Sequence, residues 1–435
     1  MDAALLGLFG IIGLLLLILI GVPIGFSLGS MGLVGISILI GMDSAVSFVT
    51  STAYTMIAQY VWAVFPLFVI MGNLAGAAQI TTEAFNAAAK WLNRVPGGLA
   101  MATCVASGAF GACSGSTVAN AAVFTPLALP EMIKKGYDKR LAVGCIAAAG
   151  TFAAMIPPSL SMVIYGVITN EPVGKLLIAG IIPGILTLIL YLIGIYIRVK
   201  RNPDLAPYTN ERASFKEKII SLKGTWGIVA IFMLIMCGIY AGWFSPSSAG
   251  AVGAFAAFCI VVLRGKLNLS GLKNVFFDTG KLSSTLFLIL IGGAIFARFL
   301  TLSGFAVSVS NLVTGAQMPP VLILVSLLFL LLILGCFMDP PSIMIITLPI
   351  IYPIIIQLGY NGIWFGVIMT KVIEIALITP PLGFNAYVVH SASAKKVSLE
   401  DVFKGITPFL LLEIIALAIL ILFPQLSLFL PNLMK

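Results

Sequence analysis

Charge is the scarcest property of this 435-residue sequence: 24 Lys and Arg with 15 Asp and Glu make up 9% of it, against 60% hydrophobic residues. So few charged side chains cannot cover the surface of a water-soluble fold, which excludes soluble enzymes and soluble binding modules. Histidine occurs once, at His390, and the six cysteines (Cys104, Cys113, Cys145, Cys237, Cys259, Cys336) all lie in apolar stretches without CxxC spacing. Clustered zinc ligands and a disulfide framework are therefore excluded. No HExxH or paired-aspartate motif occurs, and no candidate serine has a histidine near it in the sequence. The usual routes to intramembrane hydrolysis are missing, and the chain reads as a protein that is not an enzyme. The net charge of +9 is spread over short loops between apolar runs, a pattern of membrane topology in which no nucleic-acid partner is expected.

What is abundant is apolar sequence, together with 43 Gly and 23 Pro. At roughly 20 residues per crossing the apolar stock fills about a dozen spans, so the fold class is an all-α polytopic protein of the lipid bilayer. Uniform spans do not need that much glycine and proline, which predicts helices broken inside the membrane. Apolar windows predict crossings near 4–22, 24–41, 57–79, 140–168, 176–197, 225–243, 247–263, 283–303, 362–392 and 406–430. The first lacks a basic leader and a small-residue cleavage site and reads as a retained helix. Two more stretches, 97–131 and 318–355, are long enough to enter twice and are interrupted at their centres, so both read as re-entrant hairpins.

A charge count supports the hairpins. If each returns to the side it left, 20 of the 24 Lys and Arg, Arg212 and Lys395 among them, fall on one face, while the other receives only Lys175 and Lys435. That asymmetry marks the cytoplasmic side and puts both termini on the periplasmic side. Segments 80–95 and 267–277 carry helical apolar spacing with a charged opposite face and predict helices along the membrane surface.

Shifting the sequence by 223 positions superposes Pro126 on Pro349, Pro130 on Pro353, Gly136 on Gly359, Tyr137 on Tyr360, Ala153 on Ala376, and Pro157-Pro158 on Pro380-Pro381. After two inserted residues, Gly180, Ile181 and Pro183 match Gly405, Ile406 and Pro408. Each copy runs hairpin, Gly-Tyr loop, helix, Pro-Pro break, half-helix. The first copy starts outside and the second inside, so these are inverted repeats, an architecture that gives a transporter two alternating faces.

The chemistry lies in the interruptions. The first hairpin tip reads Gly111-Ala112-Cys113-Ser114-Gly115-Ser116-Thr117, followed by Asn120; the second reads Gly335-Cys336-Phe337-Met338-Asp339-Pro340-Pro341-Ser342, with Asp339 on Ser116 by the repeat shift. Two successive prolines remove two amide donors, so carbonyls one turn earlier lose their helical partners. Unwound carbonyls with hydroxyls suit Na⁺, and the positive ends of half-helices suit a carboxylate. One expected Na⁺ site uses Ser114, Ser116 and carbonyls near Pro157. The other uses Asp339 and the Thr379–Gly383 turn, with Thr379, Pro380 and Gly383. The substrate carboxylate is expected between the tips, near Ser116, Asn120, Ser159 and Asn385. Lys371 and Glu374, three apart on one helical face, make either a structural ion pair or a transport site. Arg298 and Glu413 are also ionisable within spans, and their roles stay open.

The runs GACSGSTVANAAVFTPLALPEM, AAMIPPSL, FMDPPSIMIITLPIIYPI and IEIALITPPLGFNAYVV resemble the large membrane subunit, of the DctM and SiaM type, of tripartite ATP-independent periplasmic (TRAP) transporters. The resemblance covers essentially the whole chain. It implies an elevator-type, Na⁺-driven importer of the ion transporter superfamily in the bacterial inner membrane. It also implies a separate small membrane subunit (Q type) and a soluble periplasmic binding protein (P type) that delivers an organic acid such as sialic acid or a C4-dicarboxylate. A stand-alone Na⁺/carboxylate symporter of the same superfamily is the competing expectation. The expected moving part is a transport domain of 97–197 plus 318–431. It faces a scaffold of 1–79 plus 225–303, joined by an amphipathic arm at 80–96, a second arm at 304–317 and a cytoplasmic linker at 198–224.

Overall fold

The computed structural model describes residues 3–207, 213–266, 268–315, 318–394 and 396–434. Arg212, Lys395 and Lys435 of the charge count, and residues 316–317 of the second arm, lie outside the described residues. Every regular element among those described is helical. The first half opens with α1 (Ala3–Leu19), α2 (Ile24–Ile40), α3 (Met42–Ile57), α4 (Val64–Ala77) and α5 (Ile80–Leu92). The first hairpin follows as α6 (Gly98–Ser114) and α7 (Thr117–Lys134), then α8 (Lys139–Ala153), α9 (Leu160–Thr169), α10 (Val173–Ala179) and α11 (Ile181–Arg201). The link carries α12 (Phe215–Leu222) and leads to α13 (Trp226–Tyr240), α14 (Pro246–Leu263), α15 (Leu269–Leu302) and α16 (Phe305–Gly315). The second hairpin is α17 (Pro320–Gly335) and α18 (Pro340–Gln357), followed by α19 (Gly362–Ala376), α20 (Phe384–Ala392), α21 (Leu399–Leu422) and α22 (Gln425–Leu433).

Seven described stretches are long and apolar enough to cross a bilayer, among them Val173–Arg201, Leu269–Leu302 and Leu399–Leu422. Of the remaining expected crossings, 4–22 and 24–41 are the single 17-residue helices α1 and α2. The window 140–168 is α8 plus α9 and the window 362–392 is α19 plus α20, each divided at its Pro-Pro pair.

The fold differs from the sequence expectation in two places. The surface helix at 267–277 and the span at 283–303 are one 34-residue helix, α15. Nothing between them stops a helix, since Gly280 alone only weakens one. At 1.5 Å per residue α15 is about 50 Å long, more than the roughly 30 Å of a hydrocarbon layer requires, and Leu269 and Phe277 in its first turns are exposed. The second difference is α3, where no element was expected. Its hydroxyl residues dilute the hydropathy but bond to their own helix, as Thr50 Oγ1 does to Val46 O at 2.7 Å and Thr55 Oγ1 to Ser51 O at 2.9 Å.

Glycine brings the helices of the first and second halves together. At the α2–α15 crossing, a Cβ on Gly292 would lie 2.2 Å from Gly25 O, and one on Gly32 would lie 2.8 Å from Phe296 N. The two backbones meet without a side-chain layer between them. The expected helix at 80–95 is α5, which buries Ile80, Ala84 and Phe85. It leaves the end of α4 through Gln79 (φ 57°) and reaches the first hairpin through Gly97 (φ 73°). Arg264 at the end of α14 pins its first turn, bonding the Glu83 carboxylate and, at 2.8 Å, Gly224 O.

Candidate functional site

Both hairpins form, and each tip rests on the Pro-Pro break of its own repeat. In the first, α6 ends at Ser114 and the chain turns through Gly115 at φ 59°, where a Cβ would sit 2.2 Å from Pro158 O. Only glycine meets both demands at that position. Helix α7 then starts at Ser116, whose Oγ accepts from Ala119 N–H at 3.3 Å, and α9 starts after the break at Ser159, whose Oγ accepts from Met162 N–H at 3.3 Å. In the second, a Cβ on Gly335 would lie 2.4 Å from Ala376 Cβ, and Cys336 Sγ–H donates to Pro380 O at 3.7 Å. Asp339 stands at the start of α18, where its Oδ1 accepts from Ser342 Oγ–H at 2.5 Å. Gly383 (φ 50°) starts α20. The two repeats also interlock, since α9 lies against α18 and α20 against α7.

Four half-helix N-termini, at Ser116, Ser159, Asp339 and Gly383, thus begin inside the fold, each presenting the positive end of its dipole. The break chemistry is visible at Leu377 O, whose helical donor would have been the missing amide of Pro381; Asn385 N–H takes its place at 3.1 Å. Asn385 Nδ2 donates to Ala147 O at 3.1 Å and Asn120 Nδ2 to Ser107 O at 2.9 Å. The Oδ1 atoms of both asparagines, and the Oγ atoms of Ser107 and Ser114, are buried without a hydrogen-bond partner. Buried oxygens left this way are costly in a finished protein, and four lone-pair oxygens suit a hard cation or the donors of a polar ligand. Ser107 was not singled out in the sequence, although it lies on α6 two turns before Ser114. The two breaks differ in access: Pro157 and Ser159 are buried, whereas Thr379 is half-buried and Pro380 exposed.

The ionisable residues within the spans are connected otherwise than expected. Lys371 does not pair with Glu374 but with Glu413 of α21, both fully buried, and its Nζ also donates to Thr187 Oγ1 at 2.9 Å. Tyr191 Oη donates to Glu413 Oε1 at 2.6 Å, and Thr151 Oγ1 lies 2.5 Å from the same oxygen. Glu374, equally buried, accepts instead from the hydroxyl of Thr117, the first residue of α7. Spacing along α19 favoured a pair three residues apart, but the tertiary fold supplies a closer partner from α21. Arg298 lies over the Phe48 ring at 5.4 Å. His390 Nδ1 sits 2.7 Å from Val397 O at the end of α20.

These features define a polytopic, all-α transporter with two broken-helix repeats. Residues 11–426 match the family described as tripartite ATP-independent periplasmic transporter, DctM component, and the chain belongs to that family of transporter permeases. It is 35% identical over 389 residues to the C4-dicarboxylate TRAP transporter large permease protein DctM of Pseudomonas aeruginosa, covering 88% of each chain. It is 31% identical over 424 residues to the sialic acid TRAP transporter permease protein SiaT of Haemophilus influenzae, covering 97% of this chain and 67% of that one. Its fold is similar to the YdaH transporter of Alcanivorax borkumensis, with a TM-score of 0.60 at 14% identity over 99% of this chain and 98% of that one.

Proposed function

We propose that this chain is the membrane-embedded carrier of a Na⁺-coupled importer in the bacterial inner membrane, taking up an organic acid of the C4-dicarboxylate or sialic acid class by an elevator movement. The supporting observation is the pair of hairpin tips seated on Pro-Pro breaks, with unpartnered buried oxygens at Ser107, Ser114, Asn120 and Asn385. In this reading one Na⁺ takes Ser114, Ser116 and carbonyls near Pro157, and a second takes Asp339 with Thr379, Pro380 and Gly383. The substrate carboxylate binds near Ser116, Asn120, Ser159 and Asn385, where half-helix N-termini and amides face a negative charge without an arginine. The body formed by 97–197 and 318–431 moves against 1–79 and 225–303, with 80–96 and 304–317 as arms. Both termini face the periplasm.

The family's description as tripartite periplasmic transporter supports a periplasmic binding protein as a partner; a separate small membrane subunit is the further partner of this proposal. Reconstitution of the chain with its genomic neighbours, followed by uptake of candidate organic acids with and without an inward Na⁺ gradient, tests the whole reading. Uptake is expected only with all components and only with the gradient. Robust Na⁺-driven uptake by this chain alone would convert it to a stand-alone symporter.

Asp339→Asn keeps the shape of the second tip and removes its charge. The Na⁺ concentration giving half-maximal uptake is expected to rise at least about tenfold, the scale of one lost charge-assisted contact, with membrane expression unchanged. Leu330→Met, on the exposed face of α17, serves as the control. Normal expression with unaltered Na⁺ affinity and coupling would make Asp339 a structural cap and remove the second ion site.

A further inference from the structure

The buried polar cluster is divided between the repeats in a one-sided way. The hydroxyls described above, those of Thr117, Thr151, Thr187 and Tyr191, come from the first repeat, while Lys371, Glu374 and Glu413 come from the second. The repeat shift places Glu374 on Thr151 and Pro340 on Thr117, so neither end of the Thr117–Glu374 bond has a counterpart in the other copy. Lys371 is engaged by Glu413 and Thr187, and Glu374 is engaged by Thr117.

Thr117 is closely confined. It is 3% exposed, and a Cβ on Gly150 of α8 would lie 2.7 Å from its Cγ2 and 2.8 Å from its carbonyl oxygen. Its methyl and backbone rest on α8 while its hydroxyl reaches α19. The residue before it is Ser116, and the turn of the first tip is Ser114-Gly115-Ser116. A bond from a hydroxyl to a buried carboxylate is among the stronger hydrogen bonds a protein makes. The second tip is held differently, by Asp339 bonding Ser342 within its own α18.

We infer that Glu374 is a positioning residue for the first hairpin: through Thr117 it fixes the shape of the Ser114–Ser116 turn, and it does so without affecting the second tip. The consequence for ion binding rests on the Na⁺ site proposed at that turn; the consequence for tip shape does not.

Two native thiols report on the two tips. Cys113 stands beside Ser114 and is fully buried, and Cys336 follows Gly335 at 5% exposure. Alkylation rates at both are measured by peptide-resolved mass spectrometry on the purified, full-length chain. Thr117→Val removes the hydroxyl at constant shape, Thr117→Ser keeps it, and Glu374→Gln weakens the acceptor. Thr117→Val is expected to raise the Cys113 rate about tenfold, the scale of one charged hydrogen bond, with Cys336 unchanged. Glu374→Gln should give a smaller rise in the same direction, and Thr117→Ser should match wild type. If Thr117→Val does not fold, Glu374→Gln decides.

Equal rises at both cysteines would show general loosening, and no rise at Cys113 in a folded variant would show a passive bond; either overturns the inference. In the reconstituted system, Thr117→Val and Glu374→Gln should raise the Na⁺ concentration for half-maximal uptake, and Thr117→Ser should leave it at the wild-type value. Wild type indifferent to Na⁺ would overturn the sodium reading, while the thiol rates still decide the role of Glu374.

Discussion

Lys371→Met should prevent the chain from accumulating as a folded membrane protein, and adding Glu413→Gln should restore most of what is lost. Lys371 and Glu413 are both fully buried and bonded to each other. Methionine fills the volume of the lysine stem but leaves the Glu413 carboxylate with only Tyr191 and Thr151. Leaving one member of a buried pair without the other costs about 3–5 kcal/mol, whereas replacing both members is often close to neutral. The contrast between single and double variants separates ion pairing from simple loss of contacts, because the non-additivity belongs to the pair. Thermal unfolding in detergent and monodispersity on size exclusion are the measurements. A single variant as stable as wild type, or a double variant no better than the single, would show that the pair does not hold α19 to α21.

Gly144→Val is the second expected large loss. Helices α8 and α21 cross with their backbones in contact: a Cβ on Gly144 would lie 2.2 Å from Gly405 O, and one on Gly405 would lie 2.1 Å from Arg140 O. No flexible side chain stands there to move aside, so valine has to push a helix backbone away, at a cost of about 3 kcal/mol, the upper end of the usual range for overpacking. Gly280→Val on α15 is the matched control, since nothing lies within 4 Å of a Cβ there. The expected result is loss of the monodisperse species for Gly144→Val and its retention for Gly280→Val. Retention in both would mean that α8 and α21 stand further apart.

The sequence showed the hairpins, the breaks and the repeat because glycine, proline and small polar residues are chemically out of place in a bilayer core and announce themselves by type. The same reasoning singled out Ser114, Ser116, Asn120, Ser159 and Asn385 as candidates, and the fold places each of them at or beside a tip or a break. It did not find α3, whose hydroxyls lower the hydropathy yet are satisfied within their own helix. It divided α15 because amphipathic and apolar stretches were read as separate elements, although no helix-stopping residue lies between them. The partner of Lys371 was hidden for a different reason. Spacing along one helix gives the neighbours three and four residues away, but it carries no information about which face of α21 turns toward α19. Ser107 was missed because a lone serine in an apolar helix looks like any other small residue until its hydroxyl proves to be unpartnered.

The contact between α2 and α15 has a mechanical consequence. Where Gly292 meets Gly25 and Gly32 meets Phe296, the two helices engage like a key in its slot. Shifting one along the other by a single residue, about 1.5 Å, would drive Leu288 or Ile295 into the opposing backbone. Such a joint resists shear, so a load applied to it is transmitted rather than absorbed.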